Sequence, residues 1–156
     1  MKRMLGLIGL ITLSTTSAFA ATTGNLLLKG TVPAVLSIAV APEAVASNLP
    51  LDTTQTDTKV ASVNEVSNSN TGYQVAISSQ NLGMLVHDSV TSSSINYGLK
   101  YDGAAVDLSS TDTFTFGTAA SVDVNKDIEI SYTGVPHANL IQGNYTDTVT
   151  FTISAN

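Results

Sequence analysis

Apolar and polar side chains alternate with a period of two along most of this chain, and no other feature narrows its fold as much. Successive side chains of a pleated strand point to opposite faces, so a stretch with this rhythm buries one clean face only as a strand. From Leu26 the even positions read Leu26, Leu28, Gly30, Val32, Ala34, Leu36, Ile38 and Val40, with Lys29, Thr31 and Ser37 between them. The rhythm returns at Tyr73, Val75 and Ile77, at Ile95, Tyr97, Leu99 and Tyr101, and at Phe114 and Phe116. It returns again at Ile128, Ile130 and Tyr132, and finally at Tyr145, Val149, Phe151 and Ile153. No stretch carries a sustained helical stripe, and abundant Thr, Ser and Val favour strands throughout. The fold class this predicts is all-β, as a sandwich or a barrel.

Turn residues separate these runs. Asn68-Ser69-Asn70-Thr71-Gly72 precedes the Tyr73 strand, Asn125 with Asp127 reads as a break, and Gly143-Asn144 precedes the last strand. Asp102-Gly103 between two strand patterns predicts a tight type I′ hairpin that pairs Ile95–Tyr101 with Ala104–Leu108.

The first residues read differently. Met1-Lys2-Arg3 is followed by an apolar run over Met4–Leu13 and by Ala18-Phe19-Ala20. That order of charged, apolar and small residues is the pattern of a cleavable signal peptide, and the run is shorter than the roughly 20 residues that span a bilayer. Export is expected, with residues 1–20 removed and the mature chain starting at Ala21. The remaining length suits one β-sandwich domain. Without cysteine, its stability rests on burial and strand pairing, and thiol chemistry is excluded.

Past residue 20 the basic residues are Lys29, Lys59, Lys100 and Lys126, scattered among an excess of Asp and Glu. Nucleic acid and anionic lipid both demand clustered cations, so neither is an expected partner. Tryptophan is absent, which removes the commonest sugar-stacking side chain. His87 and His137, in Val86-His87-Asp88 and Val135-Pro136-His137, read as ordinary loop residues, and no Gly-x-Ser-x-Gly elbow accompanies them. Asp123-Val124-Asn125-Lys126-Asp127 starts like a calcium loop but lacks its glycine and closing glutamate, and reads as a polar hairpin turn. No catalytic, cofactor or metal residue is assigned, and an enzyme is not expected.

The longest alternating run is broken by Pro33, which cannot donate to a ladder and marks a bulge, an edge or a boundary. It divides an N-terminal piece from Ala34–Val40, which carries the same facial parity. An apolar strand left unpaired in water is an aggregation hazard, and strand addition to another chain removes it.

Three stretches together resemble the pilins assembled by the periplasmic chaperone and outer-membrane usher route. They are Leu28-Lys29-Gly30-Thr31-Val32 leading into an apolar strand, Ser69-Asn70-Thr71-Gly72-Tyr73, and the ending Gly143-Asn144-Tyr145-Thr146-Asp147-Thr148-Val149-Thr150-Phe151-Thr152-Ile153. The resemblance implies an immunoglobulin-like β-sandwich over residues 34–156 that lacks its last strand. Its groove would be filled first by a chaperone strand and then by the extension, residues 21–33, of the next subunit. The implied donor side chains are Leu26, Leu28, Gly30 and Val32, and Tyr145, Val149, Phe151 and Ile153 are implied to line the acceptor groove. The length leaves no room for a receptor-binding domain, so a homopolymeric shaft subunit is expected, in the periplasm in transit and then on the cell surface. The alternative from the residues alone is a complete, monomeric β-sandwich that binds a ligand, such as a carbohydrate, with Leu26–Val40 as one long edge strand bulged at Pro33.

Overall fold

A computed structural model describes residues 22–156. The expected signal peptide over residues 1–20 and the junction at Ala21 lie outside the described residues. The chain divides between Val32 and Pro33 into two units.

Residues 22–32 form neither strand nor helix. Leu26, Leu28 and Val32 are each more than 80% exposed, at 82%, 82% and 83%. The strand pattern that begins at Leu26 is therefore realised only from Leu36 onward. Alternation makes a segment able to pair, but pairing also needs a ladder partner.

Pro33–Asn156 holds eleven strands. They are β1 (Leu36–Pro42), β2 (Gln55–Ser67), β3 (Tyr73–Ser79), β4 (Met84–His87), β5 (Ser94–Asn96), β6 (Gly98–Tyr101), β7 (Ala104–Val106), β8 (Asp112–Phe116), β9 (Val122–Tyr132), β10 (Tyr145–Thr146) and β11 (Val149–Ala155). All pairs are antiparallel. One layer is the sheet β1-β2-β9-β6-β7; across the core stand β11-β3-β8 and β10-β4-β5. Val63, Leu99, Ile128 and Ile130 from the first layer close on Tyr73, Val75, Ile77, Leu85 and Ile95 from the others in one buried cluster. The protein is an all-β sandwich of antiparallel sheets.

The turn chemistry follows the residues. Asp102 and Gly103 both have positive φ, 52° and 80°, as a type I′ turn requires, and Tyr101 pairs with Ala104 across it. Gly72 has φ +87°, and a Cβ there would strike the carbonyl oxygen of Phe116.

Three expectations are corrected, and one strand escaped the reading. Ile95–Tyr101 is not one strand: β5 and β6 part at Tyr97 and join different sheets. Asn125 and Asp127 make no turn, and lie within β9 with the whole Asp123–Asp127 stretch. Their polar side chains fill its outer face, where Asn64 Nδ2 donates to Asp123 Oδ1 at 2.9 Å and Lys59 pairs with Asp127 at 2.7 Å. These cross-strand pairs override the low strand propensity of Asp and Asn. His87 is no loop residue, being 4% exposed on β4. The longest strand, β2, was not expected, because its inward positions Ala61, Val63, Glu65 and Ser67 include one large apolar residue.

Candidate strand-acceptor cleft

β1 and β11 are the edges of their sheets, each hydrogen-bonded to a neighbour on one side only, and they lie against one another at one margin of the sandwich. Register fixes which side chains face inward. On β1, Leu36, Ile38 and Val40 stand opposite Ser67, Glu65 and Val63 of β2, which are 1%, 0% and 0% exposed. On β11, Val149, Phe151 and Ile153 stand opposite Ser79, Ile77 and Val75 of β3. Opposed residues of an antiparallel pair share a face, so both apolar triplets point to the core side.

They are not sealed there. Val63, Val75 and Ile77 are fully buried, whereas Leu36 is 38% and Val40 46% exposed, and Val149, Phe151 and Ile153 are half-buried. Burial therefore falls away toward the β1/β11 margin, where core-facing apolar side chains meet free strand edges. An edge of this kind presents unpaired N–H and C=O groups and alternate side-chain pockets, which is what an added strand uses.

Of the residues implied to line an acceptor groove, Val149, Phe151 and Ile153 come together on β11. Tyr145 does not join them, because it sits on β10, paired with β4. Its hydroxyl accepts from the Ile141 N–H at 3.0 Å, donates toward the Ile141 carbonyl at 3.1 Å and meets Ser93 Oγ at 2.6 Å. A tyrosine that bonds back to backbone four residues upstream pins a corner between strands. The implied donor residues Leu26, Leu28, Gly30 and Val32 belong to the unit before Pro33. Reading the sequence missed the place of β1 beside β11, although Leu36, Ile38 and Val40 carried the alternation.

Polar groups brace the margin. Asp147, just before β11, accepts from Tyr97 Oη (2.6 Å), Ser79 Oγ (2.5 Å), Asn81 N (2.9 Å) and Thr148 N (2.7 Å). Burial, and then the Asp147 bond, raise the Tyr97 hydroxyl above the usual tyrosine range. Under β1, the buried carboxylate of Glu65 accepts from Tyr73 Oη at 2.8 Å and from Tyr101 Oη. Burial pushes the Glu65 carboxyl up, against the lowering effect of the Tyr73 bond.

The histidines have structural surroundings. His87 Nδ1 accepts from the N–H groups of Ser89 (3.1 Å) and Val90 (3.0 Å), and Nε2 donates to the Gln142 carbonyl at 3.0 Å. With Nδ1 occupied as an acceptor, its 3.3 Å approach to Asp88 is not an ion pair. His137 lies in an exposed 3-10 turn. A separate concavity of about 820 Å³ opens among Leu49, Leu51, Leu85, Leu140, Ile141 and Tyr145.

No protein-family model matches the chain, and no curated protein matches it in sequence.

Proposed function

We propose that the chain is a structural subunit of a bacterial surface pilus, polymerised by placing residues 22–32 of one copy in the β1/β11 cleft of the next. The observation that carries this reading is the pair of half-exposed apolar triplets, Leu36, Ile38, Val40 and Val149, Phe151, Ile153, on two edge strands that lie side by side. A strand added at this margin would take the free ladder of an edge strand and cover apolar side chains beside it. Residues 22–32 have the composition for it, with Leu26, Leu28 and Val32 in alternation around Gly30 and Lys29 and Thr31 on the opposite face. Fully burying such side chains is worth about 1.5–3 kcal/mol each.

Charge favours the same occupant. All twelve acidic residues lie after Pro33, offset there by three lysines, whereas residues 22–32 carry Lys29 and no acid. Lys59, Lys100 and Lys126 are each paired with an aspartate, to Asp127, Asp57 and Asp102, so the acceptor unit is acidic and the incoming segment basic. In this reading the subunit is exported, guarded by a periplasmic chaperone strand, handed on by an outer-membrane usher and built into the shaft. It has no catalytic role and needs no cofactor.

Refolding the chain from Ala21 tests the proposal. It predicts a ladder of heat-resistant oligomers on denaturing gels that disappears when residues 22–32 are removed. A stable monomer at every concentration would refute it and favour a monomeric binding domain, for which the Leu49–Tyr145 concavity is the ligand site to probe.

A further inference from the structure

The imidazole of His87, buried on β4, has two kinds of neighbour at one nitrogen. Nδ1 accepts the N–H groups of Ser89 at 3.1 Å and Val90 at 3.0 Å, and it also lies 3.3 Å from Asp88 Oδ1. Nε2 faces the Gln142 carbonyl at 3.0 Å, so Nε2 carries the ring proton and Nδ1 is bare. This arrangement serves a neutral ring. Gly143 leaves room for it, since a Cβ there would strike Nε2.

Protonation reverses the role of Nδ1. An imidazolium donates from both nitrogens, so Nε2 keeps its bond to Gln142 while Nδ1 changes from acceptor to donor. The Ser89 and Val90 N–H groups then face another donor and lose their partner. Asp88 Oδ1 gains by the same change, because the new N–H is formed beside it. No other charged group meets the ring among the described residues: Tyr145 of β10 stands edge-on to it with centroids 5.1 Å apart, its hydroxyl turned to Ile141, and Gln142 and Gly143 approach it with backbone atoms. Ser93, just before β5, takes the His87 backbone N–H on its carbonyl.

Asp88 carries the change outward. Asn144 Nδ2 donates to Asp88 Oδ2 at 3.4 Å, and the Asp88 N–H donates to the Asn144 carbonyl at 2.9 Å. Asn144 in turn lines the concavity between Leu49 and Tyr145. We infer that His87 is an acid-sensitive switch on this rim. Neutral, it holds the turn after β4 through the Ser89 and Val90 N–H groups; charged, it exchanges both for the Asp88 carboxylate, which loosens the turn and draws Asp88 away from Asn144. The switch lies within the sandwich and works in a monomer or a polymer alike.

Hydrogen exchange of the chain from Ala21, read by mass spectrometry from about pH 8 to about pH 5, covers the range in which an imidazole changes charge. Two signals are followed. Exchange at the His87 ring carbon Cε1 reports the charge of the ring, and protection of the Ser89 and Val90 amides, corrected for the intrinsic pH dependence of amide exchange, reports the turn. Protection is expected to fall about ten-fold as the ring becomes charged, the scale of one ordinary hydrogen bond. His87→Gln should show no such step. In Asp88→Asn, which removes the carboxylate that receives the new N–H, the step should need more acid. A ring that becomes charged while Ser89 and Val90 stay protected overturns the inference, and so does a ring that stays neutral until the whole domain unfolds. An equal step in His87→Gln assigns the change to the carboxylates and overturns it as well. An unmoved step in Asp88→Asn also overturns it, and that variant decides alone should His87→Gln fail to fold.

Discussion

The hydroxyl of Tyr97 donates to Asp147 Oδ2 at 2.6 Å, joining the break between β5 and β6 to the break between β10 and β11. At the same level Asn81, in the turn from β3 to β4, donates its N–H to Asp147 Oδ1 at 2.9 Å. One half-buried carboxylate thus satisfies donors from three places where strands change sheet, and it sets where the edge strand β11 begins. Replacing Asp147 with Ala strands these donors, and hydrogen bonds to charged groups carry about 1.5–3 kcal/mol each. Asp147→Ala should therefore lower the urea-unfolding free energy by about 3 kcal/mol, and Asp147→Asn by roughly half that, since it keeps an acceptor for the two N–H groups.

Glu65 should make stability depend on pH. Burial is the main cause of its raised carboxyl, opposed by the Tyr73 hydroxyl and the charge of Lys126. The folded protein then holds a proton that the unfolded chain releases near the ordinary value of 4.5. Its contribution is complete below that value and is lost as pH rises through the higher folded value. The urea midpoint of the wild type, taken relative to Glu65→Gln, should accordingly fall as pH rises from 4.5 toward neutrality. A difference that grows with pH instead would contradict the assignment.

Gly72→Ala should cost about 3 kcal/mol, because φ +87° is unfavourable for a residue with a Cβ and the added methyl would strike the Phe116 carbonyl. The turn also holds the end of β11. Asn156, just past β11, donates its N–H to the Gly72 carbonyl at 3.3 Å and accepts from Thr71 Oγ1 at 2.7 Å. Faster hydrogen exchange at Ser154 and Ala155 should accompany the loss of stability.

Leu82 has the opposite expectation. It is 58% exposed and has φ +53° in the β3–β4 turn, where it packs little and adopts a conformation that Asn tolerates better. Leu82→Asn should raise the melting temperature by a few degrees, equivalent to about 0.5–1 kcal/mol.

Much of this fold could be read from alternation, and where reading stopped the reasons are physical. Val75, Ile77, Leu99, Tyr101, Ile128 and Ile130 advertise themselves because each strand buries one apolar face. β2 hides because Glu65 and Ser67 occupy core positions, and what makes Glu65 tolerable there, two tyrosine hydroxyls, comes from other strands, β3 and β6. The first half of β9 hides because Asp123, Asn125 and Asp127 are turn residues by type and strand residues only through partners on β2. That Val149, Phe151 and Ile153 share one face of a strand was legible from their alternation. The approach of β1 to β11 and the hold of Asn68 on Pro33 and Val35 depend on which strands become neighbours, and the period of a single segment carries no information about that.

The central claim, that the β1/β11 cleft accepts residues 22–32 as a strand, is tested most directly by the thermal unfolding of Pro33–Asn156 with a peptide of residues 22–33. A matching peptide with Leu28→Asp serves as control. At a peptide concentration a hundred times its dissociation constant, the linkage term is about 2.7 kcal/mol, which for a domain of this size raises the melting temperature by about 10 °C. The account predicts a rise of that order with the native peptide and almost none with the control. An unchanged melting temperature at saturating native peptide, or an equal rise with both peptides, would contradict it.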